Sequence, residues 1–273
     1  MDVTQSPQEK LSRREVQYLK SLRIKKYRQE YGILLIEGKN LCEEALSSGK
    51  PIEMFIYDPT REQEFTALLH EARKQKITIK IAAHNVISQI TETAAPQGIA
   101  ACLRWKKNSA ALEEMTKFNR LLVLDGISDP GNMGTLLRTA AWFGIQGILC
   151  GHNTAEITNP KVVRGSMGAL FRLTIWEEIP LNEILPQLRD HGVALIGTDI
   201  KQSGKILNYD LAELHHIQRI ALILGNETRG VDPEILNLCT HRIRVPGTGE
   251  IESLNVAVAG GILMYFISPF ASF

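Results

Sequence analysis

Near-continuous apolar runs alternate with helix-like segments along the second half of this sequence, and that alternation narrows the folds open to the chain. The apolar or β-rich runs are LLVLDG (121–126), GILC (147–150), VALIGT (193–198), IALILG (220–225) and HRIRVP (241–246). Strands without a polar face are typical of a parallel sheet that helices cover on both sides. We therefore predict an α/β fold with such a sheet, and with helices over about 133–143, 160–169, 181–191, 233–239 and 253–268.

The first half shows the same alternation on a smaller scale. Its predicted strands are ILLIEG (33–38), MFIYD (54–58), ITIKIAAH (77–84) and GIAACLRW (98–105), and its predicted helices lie over 11–31, 41–50 and 65–76. Since domains usually hold about 100–200 residues, a chain of 273 residues can form two. A polar stretch, Lys106 to Arg120, separates the halves. We predict a small α/β domain over residues 11–105, a linker over 106–118 and a larger domain over 119–273.

Composition argues against several classes of protein. No apolar run approaches the roughly 20 residues that cross a bilayer, and the polar start MDVTQSPQEK lacks the apolar segment of a signal peptide. The four cysteines form no C-x-x-C pair and have no histidines at zinc-ligand spacing. We therefore expect a soluble, cytoplasmic protein with reduced thiols, no membrane partner and no metal.

The basic residues are concentrated in one segment of a chain whose formal net charge is only +1. Between residues 13 and 28 a single acid, Glu15, stands against Arg13, Arg14, Lys20, Arg23, Lys25, Lys26 and Arg28. A local basic patch lets a nearly neutral protein attract phosphate. A solvated helix face would have the same composition, so charge alone leaves both interpretations open.

Glycine-rich polar loops follow three of the predicted strands of the second half. They are ISDPGNMGTLLRTAAWFG, NETRGV and GTGEIESLNVAVAGG. Ligands of open α/β sheets bind beyond the carboxyl ends of the strands, so we predict a binding site at these loops. No G-x-G-x-x-G follows the first of these strands and no G-x-x-x-x-G-K-[ST] occurs, which argues against a dinucleotide dehydrogenase and a P-loop nucleotidase.

The three loops resemble, in order and position, the three motifs of the SpoU (TrmH) family of SPOUT methyltransferases. The motifs are DPGNMGTLLRTAAWFG (129–144), LGNETRGVD (224–232) and VPGTGEIESLNVAVAGGI (245–262). The stretch LKSLRIKKYRQEYGILLIEGKNLCEEAL (19–46) is similar to the family's RNA substrate-binding domain, which has a ribosomal-protein-like α/β fold.

This resemblance implies an S-adenosylmethionine-dependent enzyme that methylates a ribose 2′-hydroxyl of structured RNA. Its small amino-terminal domain favours 23S ribosomal RNA as the substrate. The resemblance also implies a carboxy-terminal trefoil knot in the parallel-sheet domain, and a homodimer with its active site near the subunit interface. Two alternatives stay open, a transfer RNA 2′-O-methyltransferase and a catalytically silent RNA-binding protein of the same fold.

The candidate site residues form three sets. By resemblance the catalytic set is Asn132, Arg138, Glu227, Ser253 and Asn255, and the cofactor set is Leu224, Gly225, Val245 and Leu254, to which we add Thr198 at a strand end. The basic patch supplies an RNA-binding set of Arg23, Lys25, Lys26 and Arg28, with Arg104, Lys106 and Lys107 as further phosphate contacts. Two positions depart from the family pattern, Thr228 where glycine is common and Ala257 where serine is frequent.

Four of the five catalytic candidates also have a purely structural explanation. Asn132 could cap a helix, Glu227 could cap a turn, and Ser253 is the predicted N-cap of the last helix. Arg138 could be an ordinary surface arginine. Because arginine stays protonated in proteins, we expect Arg138 to bind phosphate and stabilise the developing alkoxide, with Glu227 holding its guanidinium in place.

Overall fold

The computed structural model describes residues 9–93, 95–109, 111–199, 214, 216–248, 250 and 252–270. The chain divides into two units. The first comprises residues 1–106 with 158–171, and the second comprises 107–157 with 172–273. The segment 158–171 therefore groups with the smaller unit, whereas the sequence analysis placed it in the larger domain. The domain limits at 105 and 119 stay a prediction.

Strands and helices alternate along the described residues. The strands are β1 (Glu9–Lys10), β2 (Ile33–Glu37), β3 (Ile52–Tyr57), β4 (Thr78–Ile81), β5 (Ile99–Arg104), β6 (Arg120–Asp125), β7 (Gly147–Gly151), β8 (Thr174–Ile179), β9 (Ala194–Thr198), β10 (Ile220–Gly225) and β11 (His241–Ile243). The helices are α1 (Arg13–Ser21), α2 (Lys25–Tyr31), α3 (Lys39–Ser47), α4 (Glu62–Lys74), α5 (His84–Ile90), α6 (Leu112–Met115), α7 (Pro130–Trp142), α8 (Pro160–Ser166), α9 (Leu181–Asp190), α10 (Pro233–Leu238) and α11 (Val256–Ile267).

In the first unit the described strands form a mixed sheet in the order β1-β4-β3-β5-β2. Strand β4 is parallel to β1 and β3, whereas β5 is antiparallel to β3 and β2. The predicted helix over 11–31 is two helices, α1 and α2. Helix α1 starts with a capping box in which Ser12 and Glu15 satisfy each other's backbone amides, and α2 ends at Gly32 with a φ of +60°.

The second unit contains the parallel sheet that the apolar runs predict. Its described strands lie in the order β11-β9-β10-β6-β7-β8, and every pairing is parallel. The chain runs outward from β6 to β8 and then continues on the other side of β6, so β10 pairs with β6 although about a hundred residues separate them. An open α/β sheet binds ligands where its strand order reverses, which places the expected site beyond the ends of β6 and β10.

Several predicted limits are wrong, and one strand was not predicted at all. Strand β8 was missed because TIWEEI carries two glutamates; it is an edge strand, interrupted by a register shift and by Glu178 with a φ of +57°. The last helix begins at Val256, not Ser253, and β11 ends at Ile243, not Pro246. In the first unit, ITIKIAAH is a strand only to Ile81, and helix α5 was not predicted.

No helix in the described part of the chain is long and apolar enough to cross a membrane. The predicted trefoil knot stays a prediction, because residues 200–213 lie outside the described ranges.

Candidate functional site

A cavity of about 350 Å³ lies beyond the ends of β9 and β10 in the second unit. All five residues of the predicted cofactor set line it: Thr198, Leu224, Gly225, Val245 and Leu254. Asp199, Glu227 and Ser253 contribute to the same wall. Residues from three separate segments therefore meet at one place, as expected for loops that follow neighbouring parallel strands.

The backbone at Gly225 leaves no space for a side chain. A Cβ atom there would lie 2.0 Å from the backbone nitrogen of Val231 and 2.1 Å from the carbonyl carbon of Gly230. The turn that approaches so closely is closed by two backbone hydrogen bonds between Asn226 and Gly230, of 3.0 and 2.9 Å. Glycine at position 225 thus lets the loop fold back over the end of β10 and form one wall of the cavity.

The side chains of Glu227, Asn132 and Asn255 form a chain of hydrogen bonds at the edge of this cavity. Asn132 donates its side-chain amide to Glu227 Oε1 at 3.0 Å, and Asn255 donates its side-chain amide to Asn132 Oδ1 at 3.0 Å. Three predicted catalytic residues, one from each motif, are therefore joined directly. We call this trio the carboxamide network.

Backbone and hydroxyl donors complete the surroundings of Glu227. The amides of Ser128 and Asp129 donate to its two carboxylate oxygens at 3.3 and 3.2 Å, and the Ser128 hydroxyl donates at 3.2 Å. Partial burial opposes ionisation of Glu227, but the hydrogen bonds from Asn132 and the backbone outweigh it and hold the pKa below its ordinary value. Glu227 is therefore a carboxylate at neutral pH, and its charge fixes Asn132 in place.

The caps of two helices differ from the sequence predictions. Asp129, not Asn132, is the N-cap of α7, and its carboxylate accepts from the backbone amide of Asn132 at 2.8 Å. Asn255, not Ser253, is the N-cap of α11, and it accepts from the amides of Ala257 and Val258. Capping by Asn255 gives asparagine a structural reason to be there, in addition to its bond with Asn132. The pair Asp129-Pro130 was the overlooked signal, because a capping acid before proline is typical of a helix start.

Arg138 lies on α7, two turns beyond Asn132, and its side chain is exposed. The described residues show no hydrogen bond or ion pair from Arg138 to Glu227; the carboxylate instead accepts from Asn132 and the 128–129 backbone.

The sequence analysis also overlooked Asn226, whose side chain donates to the Gly126 carbonyl at 2.8 Å and connects the two loops. The catalytic roles of the five candidate residues stay predictions.

The basic candidates lie in different environments. Arg23, Lys25 and Lys26 are exposed, and Arg23 lies 3.9 Å from Glu92. Arg28 is only 5% exposed and donates to the backbone carbonyls of Leu22 and Arg23 at 2.9 and 2.8 Å. The Arg28 guanidinium therefore helps to close the turn between α1 and α2, and its contact with RNA stays a prediction.

The other three phosphate candidates are exposed as well, and two of them have acidic partners. Arg104 pairs with Glu53 at 2.6 Å, and Lys107 pairs with Glu178 at 3.2 Å. Lys106 is exposed. Among the residues whose placement is described, no three His, Cys, Asp or Glu side chains group as metal ligands would.

Two known family patterns together match most of this chain. The pattern of the SpoU rRNA Methylase family matches residues 119–265, and that of the MRM3-like substrate binding domain matches residues 13–101. The chain belongs to the SpoU rRNA methylase family. Its predicted family and its predicted class, a methyltransferase, are thereby confirmed.

Known relatives match the sequence, and solved structures match the fold, of this SpoU methylase over nearly its full length. The 23S rRNA (guanosine(2553)-2′-O)-methyltransferase RlmP of Bacillus subtilis (strain 168) is 32% identical over 260 residues, which cover 95% of this chain and 98% of the relative. The AdoMet-bound rRNA methyltransferase of Sinorhizobium meliloti superposes with a TM-score of 0.82 at 25% identity, covering 95% of each chain. The SpoU methyltransferase AviRb of Streptomyces viridochromogenes shares the fold, with a TM-score of 0.78 at 23% identity over 93% of this chain and 96% of its own. The predicted fold class is confirmed.

Proposed function

We propose that this SpoU methylase transfers the methyl group of S-adenosylmethionine to a ribose 2′-hydroxyl of 23S ribosomal RNA. The observation that carries the proposal is the cavity beyond β9 and β10, which all five predicted cofactor residues line together with Glu227, the carboxylate of the carboxamide network. The Bacillus relative is named as a 23S rRNA 2′-O-methyltransferase, and the Sinorhizobium structure contains AdoMet.

The cavity fits S-adenosylmethionine in size and in lining. A volume of about 350 Å³ lies within the range of roughly 300–1,000 Å³ that is usual for small-molecule sites. Leu224, Val245 and Leu254 offer apolar contacts to an adenine ring, and the backbone of the Asn226–Gly230 turn offers polar ones. When bound, S-adenosylmethionine supplies an electrophilic methyl group on a sulfonium. No metal and no covalent nucleophile is needed for its transfer.

The protein side chains contribute position and charge. The Glu227 carboxylate orients the Asn132 amide, which in turn orients Asn255, so two carboxamides are held in one arrangement before RNA arrives. Arg138 is exposed on the same helix as Asn132. We propose that its guanidinium binds the phosphate next to the target ribose and stabilises the negative charge that develops on the 2′-oxygen.

Exposed apolar side chains on α7, on α11 and just after α11 support a homodimer. Trp142 is 80% exposed, Phe270 is 69% exposed, and Val258 and Tyr265 are exposed as well. These side chains lie near one another, since the ring of Phe143 is 5.9 Å from that of Tyr265 and Phe270 packs beside Gly144. Grouped apolar side chains on a surface are typical of a protein interface, and Trp142 lies one turn from Arg138 on α7. We propose that a second copy covers these side chains, so that light scattering reports a dimer for the wild type and a monomer for Trp142→Glu.

The state of the cysteines supports a cytoplasmic location. All four are free, and Cys42, Cys102 and Cys150 are buried. Thiols that persist unpaired are typical of a reducing compartment.

The experiment that tests the proposed function is methyl transfer from labelled S-adenosylmethionine to ribosomal RNA that lacks the modification. We expect label in 23S RNA at a linkage that resists alkali, and a loss of about 100-fold or more for Arg138→Ala. The matched control is Arg189→Ala, since Arg189 is also an exposed helical arginine and its ion pair is with its neighbour Asp190.

Three outcomes would contradict the proposal in different ways. Label in transfer RNA alone would change the substrate. Label recovered in mononucleotides after alkaline hydrolysis would indicate base methylation, because a base methyl group does not protect the adjacent phosphodiester linkage. Absence of label from every RNA, together with no calorimetric binding of S-adenosylmethionine, would leave an RNA-binding protein without catalysis.

A further inference from the structure

Three tyrosines meet on the basic surface of the first unit, and neither the catalytic cavity nor the phosphate contacts explain them. They are Tyr18 on α1 and Tyr27 and Tyr31 on α2. We call them the tyrosine cluster. Tyr27 and Tyr31 are four residues apart, so they share one face of α2.

The rings of the cluster form a continuous series that starts at the core. Tyr18 packs against buried residues that include Leu19 and Ile33, and burial raises the pKa of Tyr18 to about 12. The ring of Tyr31 lies 5.1 Å from that of Tyr18, centroid to centroid, at an angle of 51°. The ring of Tyr27 lies 5.9 Å from that of Tyr31 and is nearly parallel to it, at 18°. Tyr18 therefore anchors the other two rings.

The outer part of the cluster faces solvent. Tyr31 is 39% exposed, Tyr27 is half-buried, and Ile24 at the start of α2 is 55% exposed. Packing with Tyr18 accounts for the orientation of Tyr31, but it leaves the outer ring surface in water. An aromatic pair that is rigid and still accessible is suited to bind a flat, apolar partner.

Basic side chains flank the rings of α2 in the sequence. The Lys26 ammonium lies 5.9 Å from the centroid of the Tyr27 ring, and Lys25 and Arg23 are exposed close by in the sequence. Glu30 is the one acid between residues 16 and 36. A surface that combines cations with stacked aromatic rings matches the chemistry of single-stranded nucleic acid, whose phosphates and base faces alternate along the strand.

We infer that Tyr27 and Tyr31 stack against unpaired bases of the RNA substrate while Lys25, Lys26 and Arg23 hold the adjacent phosphates. This inference rests on the proposed function and assigns the first unit a preference for loops or single strands over regular duplex. In duplex RNA the bases are stacked on one another and cannot reach a protein ring. An acidic or apolar protein partner would use the same rings without needing a nucleobase.

The test separates bases from phosphates. The probe is a fluorescently labelled 12-nucleotide oligouridylate, compared with an oligomer of the same length and charge in which every base is absent. Binding to the full-length protein is measured by fluorescence anisotropy at low salt. We expect wild type to bind the oligouridylate about 5- to 100-fold more tightly than the abasic oligomer, because stacking on an aromatic ring contributes on that scale.

Substitutions assign the effect to the rings. The double variant Tyr27→Leu/Tyr31→Leu is expected to bind both oligomers equally, at the level of wild type with the abasic one. Tyr27→Phe/Tyr31→Phe keeps both ring faces and is expected to keep the preference. Ile24→Ala removes an exposed apolar side chain from the same surface without removing a ring, and it is expected to bind as wild type does. Circular dichroism melting checks that each variant is folded.

Methyl transfer to 23S RNA is measured in parallel, so that the two proposals can fail separately. Equal binding of both oligomers to wild type, with methyl transfer intact, would overturn the stacking inference alone. A preference that survives in the leucine variant would place the base contact elsewhere and would also overturn it. Absence of methyl transfer with an intact, ring-dependent preference would leave the inference standing and count against the proposed function.

Discussion

The cavity of the second unit and the basic surface of the first unit use polar residues in opposite ways. At the cavity, Glu227, Asn132 and Asn255 bind one another, and the backbone amides nearby point at the same carboxylate. On the basic surface, Lys25 and Lys26 are exposed to water. The cavity has its geometry set when the protein folds, whereas the basic surface keeps side chains that adapt to a partner.

This difference follows from what each region has to do. Methyl transfer requires atoms to be placed to within a fraction of an ångström, so disorder there slows the reaction. Attraction of a polyanion acts over about 10 Å at moderate salt and tolerates mobile charges. Substitutions at the cavity should therefore act through geometry, and substitutions on the basic surface should act through ionic strength.

Gly225→Ala should have the largest effect, because it places a methyl group within 2.0 Å of the Val231 backbone nitrogen. The clash is with backbone, so it moves the whole turn that forms the cavity wall. We expect S-adenosylmethionine to bind at least about 100-fold more weakly, measured by titration calorimetry. Gly261→Ala is the control, since a Cβ atom there would meet only the Thr139 methyl group at an ordinary contact distance of 3.7 Å, and Gly261 is not among the residues that line the cavity. Equal losses in both variants would show that the close approach at Gly225 is not what shapes the site.

Arg28→Gln and Lys25→Gln sharpen the contrast within the basic surface itself. Arg28 is buried on the carbonyls of Leu22 and Arg23, so its loss should lower the free energy of unfolding by about 1–3 kcal/mol and leave the salt dependence of RNA binding unchanged.

Lys25 is exposed, so Lys25→Gln should change the free energy of unfolding by less than about 0.5 kcal/mol. It should also reduce the slope of log affinity against log salt by about 0.7, the value for one phosphate contact with a single strand.

Urea unfolding and binding titrations at three salt concentrations measure the two effects. A reduced salt slope in Arg28→Gln would support a phosphate contact for Arg28. An unchanged slope in Lys25→Gln would remove Lys25 from it.

The smallest expected effect is the pH dependence that Glu227 adds to stability. Its pKa is lowered in the folded protein, so ionised Glu227 stabilises the fold above the ordinary value of 4.5, and this contribution is lost as pH falls through the folded pKa. We expect wild type to have a larger free energy of unfolding than Glu227→Gln at pH 7. This difference between the two proteins should become smaller between about pH 5 and pH 3. Urea unfolding of both proteins across this range measures it. A gap that stays constant would mean that the carboxylate charge does not hold the carboxamide network.

The sequence predicted the second unit well, because its strands are buried on both faces and therefore read as unbroken apolar runs. Strand β8 escaped prediction because an edge strand tolerates charges such as those of Glu177 and Glu178. The motifs named Asn132, Glu227 and Asn255 through family resemblance, but not the bonds between them. Likewise, charge alone could not separate buried Arg28 from exposed Lys25.

The sequence by itself determined the alternation of strands and helices, the family and the residue types that the site requires, because these depend on local periodicity and on motifs within a few residues of one another. Tertiary structure decided which of those residues meet. Asn132 and Glu227 are 95 positions apart, and the parallel pairing of β6 with β10 brings them within 3.0 Å. The close approach of backbone at Gly225 comes from a turn folding back on its own strand, and the burial of Arg28 comes from a break between two helices that the sequence pattern had joined. The first is packing between distant segments, and the other two are close contacts between residues five or six positions apart; hydrophobic periodicity records neither kind.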